Sequence, residues 1–168
     1  MTSLIRIAIE GDEIGLPIRG QRFVTKAAFK EIGQEWSRNM LPDHFNRNKQ
    51  AKYAYRSRTK AYMRRKRREA LRGNVKGGGV TDLVFSGRTR DSVMGFNRVQ
   101  AFPTRATVHL NTPNYARTNY KPGRPNIGAE ITKVLPSESR QLDQVGSRKL
   151  EQATAQWQKN HPVRRRIT

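Results

Sequence analysis

Apolar and polar residues alternate at the start of the chain. In Leu4-Ile-Arg-Ile-Ala-Ile-Glu10, Ile5, Ile7 and Ile9 share one side, which predicts a half-buried strand. Gly11 to Pro17 then supplies turn chemistry. From Arg22 to about Met40 the period lengthens. Phe23, Ala27, Ile32, Trp36 and Met40 fall near one helical stripe with Phe29 beside it, while Lys26, Lys30, Glu31 and Glu35 point outward. The pattern predicts an amphipathic helix ending before Pro42, with Phe29 and Trp36 in the core.

Further along, 80–85 resembles a strand, followed by Ser86-Gly87 and a short amphipathic stretch through Arg90, Val93 and Met94. Asn97 to Phe102 and Arg105 to Leu110 predict a strand pair around Pro103-Thr104, with Ala106, Val108 and Leu110 alternating with Thr107 and His109. Asn111 to Asn126 holds three prolines and four asparagines and reads as a long exposed loop. Gly128 to Leu135 predicts a last strand with Ala129, Ile131 and Lys133 on one face. Pro136-Ser137 then opens a helix with Glu138 in its first turn, where a carboxylate favours the helix dipole. Leu142, Val145, Leu150, Ala153 and Trp157 continue it.

Between the first helix and the central strands the hydrophobic pattern fails and charge takes over. Thirteen basic side chains and one acid lie between Arg47 and Lys76. Residues 1–46 are net neutral, 47–76 contribute +12, 77–146 contribute +4 and the end from Ser147 contributes +5, making the +21 total. Clustered cations beside a neutral segment point to a polyanionic partner, because they release condensed counterions on meeting phosphates. Arginine dominates the densest part, Tyr62 to Glu69, which suits bidentate phosphate or carboxylate contacts. Tyr53, Tyr55 and Tyr62 interleave with the cations, as in surfaces that stack on bases or pack against a partner. Good helix formers run from Ala61 to Leu71, and Tyr55 and Tyr62, seven apart, share a helix face. The part from Asn46 to Ser57 has weaker propensity and suits an extended path. Like charges at Arg64 and Arg68 oppose an isolated helix there. Gly73 to Gly79 reads as a connector.

A chain of 168 residues fits one domain, here 1–160 with a basic insertion at 47–79 and a basic tail at 161–168. It has no cysteine, which excludes disulfides and thiolate metal sites. No apolar run approaches a membrane span. Without a signal-peptide apolar region at the N-terminus, a cytoplasmic start is expected. His44, His109 and His161 are far apart and not at metal-ligand spacing. Asp43-His44-Phe45-Asn46 invites comparison with a His-Asn nuclease site, but its neighbours are basic rather than ligating, so Asp43 is read as a brace after Pro42. Glu10, Asp12 and Glu13 read as a solvated turn. Gly77-Gly78-Gly79 lacks the Lys-Ser/Thr of a phosphate loop, and Ser86 has no positioned base. No cofactor and no catalytic residue are expected. No sequence-reading DNA or RNA motif is present.

Several short motifs together suggest a family. Leu41-Pro-Asp-His-Phe45 is followed by Tyr53-Ala-Tyr55, Arg58, Tyr62 and Arg65-Lys66, then by Leu83-Val-Phe-Ser-Gly-Arg-Thr-Arg-Asp-Ser-Val93. This order resembles the neck or tail-completion proteins of tailed bacteriophages, also described as virion-morphogenesis proteins. Ser86 to Val93 occupies the family's T/S-G-R/x-L-R-x-S-hydrophobic element, with Thr89 where leucine is more usual. Asn114-Tyr115-Ala116 is similar to its Tyr-Ala before a loop, and 130–134 with the closing helix to its last strand and C-terminal helix. The acidic-glycine signal expected after Tyr-Ala is missing.

The resemblance implies a small α+β fold, a twisted antiparallel sheet packed by an N-terminal and a C-terminal helix, with a basic arm and a long loop. It also implies a homo-oligomeric ring of structural subunits at the head-tail junction of the virion, assembled in the host cytoplasm around the DNA path. Portal, adaptor or tail proteins would be its partners, with no membrane involved. On that reading Arg56, Arg58, Lys60, Arg64, Arg65, Lys66, Arg67 and Arg68 face genomic DNA, nonspecifically, or an acidic neighbour. Ring contacts would come from sheet edges and the 111–126 loop, through Tyr115, Tyr120 and Arg124. The main rival is a nonspecific nucleic-acid-binding protein outside the virion, such as a packaging or ribosome-associated factor.

Overall fold

A computed structural model describes residues 3–7, 15–46, 50–56, 58–74, 87–95, 97–113 and 126–162. The chain opens with β1 (Ser3–Ile7) and then α1 (Ile18–Glu35). Gly15 takes a left-handed φ of 58° in the turn before α1. A Pro17 φ of −55° then feeds the helix, and the Gln21 side chain closes the first turn by donating to the Leu16 carbonyl. After Glu35 the winding changes without a break, to a π turn at Trp36–Met40 and a 3₁₀ turn at Leu41–Phe45. Pro42 sits in the first turn of that 3₁₀ segment, where its missing N–H costs nothing. The helical path therefore continues past the proline at which it was expected to stop.

A second 3₁₀ turn (Gln50–Tyr53) precedes α2 (Lys60–Leu71). Then come α3 (Arg88–Gly95), β2 (Asn97–Phe102), β3 (Arg105–Leu110), the short α4 (Ile127–Ile131) and the long α5 (Pro136–Asn160). The three strands form one antiparallel sheet in the order β1-β3-β2. Its register is fixed by Ile5 opposite Val108 and by Val99 opposite Val108 on the other side. The fold is therefore α+β, a small antiparallel sheet with α1 packed on it and the C-terminal α5 packed in turn on α1.

α1 is the centre of the packing. It lies against β2 and β3 on one side and against α5 on the other. The main core joins Phe29, Ile32, Trp36 and Met40 to Ala106, Val108 and Leu110 of β3, with Val93, Ile131 and Leu142 arriving from α3, α4 and α5. A smaller cluster of Leu16, Val24 and Ala153 joins the far ends of α1 and α5. Each large apolar side chain enclosed in this way contributes about 1.5–3 kcal/mol. Helix and sheet approach closely at Gly33, where a Cβ would lie 2.6 Å from Val99 Cγ1.

Two expectations are corrected here. A helix buried on two sides has no narrow stripe. Val24, Ala28, Phe29, Ile32, Gly33 and Trp36 are all enclosed, while Phe23, about 100° before Val24 around the helix, is 54% exposed and leans on Trp157 with ring centres 5.4 Å apart. The predicted last strand at Gly128 to Leu135 is instead α4 and the turn after it. Asn126 caps α4 by accepting from the Ala129 N–H at 3.1 Å, and Thr132 Oγ1 bonds back to the Gly128 carbonyl. Ile127 and Ile131, four apart, then reach the core together. The predicted strand at 80–85, the glycine connector beyond Asn74, the acidic turn at 10–13 and the tail from 163 lie outside the described residues.

Candidate nucleic-acid interface

α2 carries the charge. Thr59 starts it, its side chain accepting from the Tyr62 N–H at 3.2 Å. The helix has two faces. Lys66 is fully buried, and Tyr62, Met63, Glu69 and Ala70 beside it are half-buried. Lys60, Arg64, Arg65, Arg67 and Arg68 are exposed, and at 100° per residue they span an arc of about 160°. Glu69, the one acid of α2, lies at the border and accepts from Asn74 and Arg72 at 2.9 and 3.4 Å. Those bonds hold its carboxyl below the usual range, with Arg65 and Arg68 adding to the effect. Leu71, 89% exposed, is the large apolar side chain at the C-terminal end of α2.

The path leading into α2 is clamped to the body of the fold. Arg58 forks onto Glu130 of α4, Nη1 to Oε1 at 2.9 Å with Nη2 on Oε2. Tyr53 is enclosed, and its hydroxyl donates to Glu138 Oε1 at 2.6 Å. Lys52 reaches the same oxygen at 2.9 Å and Asp43 at 3.0 Å. Lys133 Nζ donates to the Tyr53 carbonyl, and Ala54 next to it takes a φ of 45°, a left-handed conformation rarely adopted by residues with a Cβ. The His44 ring stacks on Tyr53 with centres 3.8 Å apart and shares a hydrogen bond with the Tyr55 hydroxyl through Nδ1. Arm root, 3₁₀ turns, α4 and the start of α5 thus form one polar knot.

The electrostatics of the knot follow from its enclosure. Burial lowers the His44 pKa to about 4, against the opposing pull of Glu138 and Asp43, so the ring is neutral near pH 7. Burial likewise pushes the Tyr53 hydroxyl up, and its bond to Glu138 pushes it further. Burial alone would raise Glu138, but the donors Tyr53, the Leu135 N–H and Lys52 outweigh it and hold the carboxyl below its ordinary value. Lys52 is shifted upward in turn, burial being outweighed by Glu138 and Asp43.

The proposed contact residues therefore divide. Arg56, Lys60, Arg64, Arg65, Arg67 and Arg68 lie on the surface. Lys66 and Arg58 do not. Lys66 is buried and Arg58 is committed to Glu130, so both are withdrawn as contacts to an external partner. The interleaved tyrosines are also corrected. Tyr53 is core, Tyr55 is tied to His44 before α2 begins, and Tyr62 is half-buried, so Tyr55 and Tyr62 do not share a helix. Acidic partners absent from the 47–76 sequence arrive from Asp43, Glu130 and Glu138. Asp43 braces the turn as expected, and His44 is enclosed among aromatic rings. Tyr115, Tyr120 and Arg124 lie outside the described residues. Among the described residues, no group of three metal-ligating side chains gathers and no helix is long and apolar enough to cross a membrane. No protein-family model, curated protein or solved structure matches the chain.

Proposed function

We propose that this chain is a non-catalytic structural subunit of a tailed-bacteriophage virion, a ring-forming neck, head-tail connector or tail-completion protein surrounding the DNA path. One observation carries the reading. The contiguous cationic arc of α2 starts from a root tied to a small α+β body through Arg58–Glu130 and Tyr53–Glu138. A subunit that lines a channel needs a cationic surface of set direction, whereas a solubilising charge run needs none.

Replacing Arg64, Arg65, Arg67 and Arg68 by glutamine in the virion is expected to impair assembly or genome retention while the fold persists. Virions that form and hold DNA normally would sink the reading. Native mass measurement, alone and with virion components, is expected to show a ring. The same cationic arc also favours the second reading, a nonspecific nucleic-acid-binding protein outside any virion. That alternative predicts a monomer or small oligomer under all conditions.

A further inference from the structure

The side-chain composition of the arc distinguishes among polyanions, which deepens, and rests on, the polyanion reading of α2. Its twelve residues span about 18 Å at 1.5 Å per residue. Around that axis Lys60 and Arg67 lie on one flank, Arg64 and Arg68 in the middle and Arg65 on the other flank. An α-helix with its side chains is about as wide as the major groove of B-form DNA, roughly 12 Å. Cations on both flanks of such a helix can reach phosphates of both strands at once, whereas a single row could follow only one.

Single-stranded nucleic acid needs aromatic faces on which to stack its bases, and the arc offers none. Tyr62 is half-buried on the inner side, Tyr53 is enclosed, and Tyr55 is held by His44. An acidic protein surface would need apolar or aromatic anchors at the centre of the interface, since exposed charge pairs alone contribute little. Here Leu71 and Ala61 are the apolar side chains exposed on α2. A-form RNA has a major groove too deep and narrow for the same approach.

We propose that α2 binds B-form duplex DNA through the phosphates flanking one major groove, without reading its sequence. The test uses the full chain and fluorescence anisotropy across a salt series. The probes are a DNA duplex of about 20 base pairs, long enough for several such groove contacts, with a single strand and an RNA duplex of equal length and polyglutamate of equal charge. The DNA duplex is expected to bind tightest, in the micromolar range at low salt, with a log-log salt slope of about −4 for four to five phosphate contacts. Two unrelated duplex sequences should bind alike.

R64Q/R65Q/R67Q/R68Q should lose about tenfold or more in affinity and most of the slope. R22Q/R38Q/R140Q/R148Q removes the same charge from exposed positions elsewhere and should change affinity less than about threefold. Circular dichroism checks that both variants stay folded. Equal affinity for the single strand or the RNA duplex overturns the proposal, as does an equal loss in the control variant. Tight polyglutamate binding with a weak duplex overturns it while leaving the polyanion reading standing. Binding to none of the four overturns both.

Discussion

Arg58 and Glu130 stand 72 residues apart in sequence and meet as a two-point ion pair, their side chains only 8% and 10% exposed. The pair ties the path into α2 to α4, beside the Tyr53–Glu138 bond that holds the same path to α5. Glu130→Ala leaves an enclosed guanidinium without its carboxylate and is expected to cost about 3–5 kcal/mol. Replacing both partners by methionine should cost less than the single change, because no charge is then stranded. Urea unfolding of the two variants checks this, and a loss under about 1 kcal/mol for Glu130→Ala would show the pair to be dispensable.

Gly33 sets the distance between α1 and the sheet. An added Cβ would meet Val99 Cγ1 at 2.6 Å and Ala106 Cβ at 3.5 Å. Valine is stiff at χ1 and cannot swing away. Gly33→Ala is therefore expected to destabilise by about 1–3 kcal/mol, and adding Val99→Ala should recover part of the loss. Gly95 is the matched control, with open space around it, and Gly95→Ala should stay within about 0.5 kcal/mol of wild type. Thermal unfolding of the three variants separates packing from propensity.

Acid should loosen the knot through His44. Its pKa is lowered to about 4 in the fold, against 6.5 for the free side chain. Between those values the unfolded chain binds the extra proton and the folded chain does not. Stability therefore rises with pH through that window and falls on acidification. From pH 7 to pH 5 this group alone should remove about 2 kcal/mol. Glu138, with a depressed carboxyl pKa, adds its loss only as pH falls through and below the ordinary carboxylate range. His44→Gln should flatten the slope of unfolding free energy above pH 5. An unchanged slope would place the sensitivity elsewhere.

Where local pattern and tertiary demand coincide, the sequence was a sufficient guide. The alternation in Arg105 to Leu110 and the Pro103-Thr104 turn mark β2 and β3 because one face of that hairpin is core and the other is not. Phe23 misled because α1 is buried on two sides, so the stripe that fits its apolar residues is not the buried surface. Gly128 to Leu135 misled because a cap at Asn126 and two isoleucines four apart outweigh a short apolar alternation. The charge of α2 was plain from composition, but its division into an outward arc and an inward Lys66 was not. Nor could Arg58 be seen as structural, because its partner arrives from a distant helix.

Salt should act on α2 in two opposite directions, and this separates its folding from its binding. Lys60 and Arg64, and Arg64 and Arg68, are like-charged neighbours four apart on one helix, each opposing it by about 0.2–0.5 kcal/mol. Thr59 offsets part of this as the N-cap, which at about 1 kcal/mol is comparable to the summed repulsion. Raising salt from about 50 to 500 mM shortens the screening length well below the extent of the arc. Amide exchange in α2 is therefore expected to slow with salt in the free protein, and Thr59→Ala to speed it at every salt concentration. Any bound polyanion should slow the same amides most at low salt, where counterion release favours binding. Exchange in free α2 that quickens with salt would mean that attraction to acids, rather than repulsion within the arc, controls the helix.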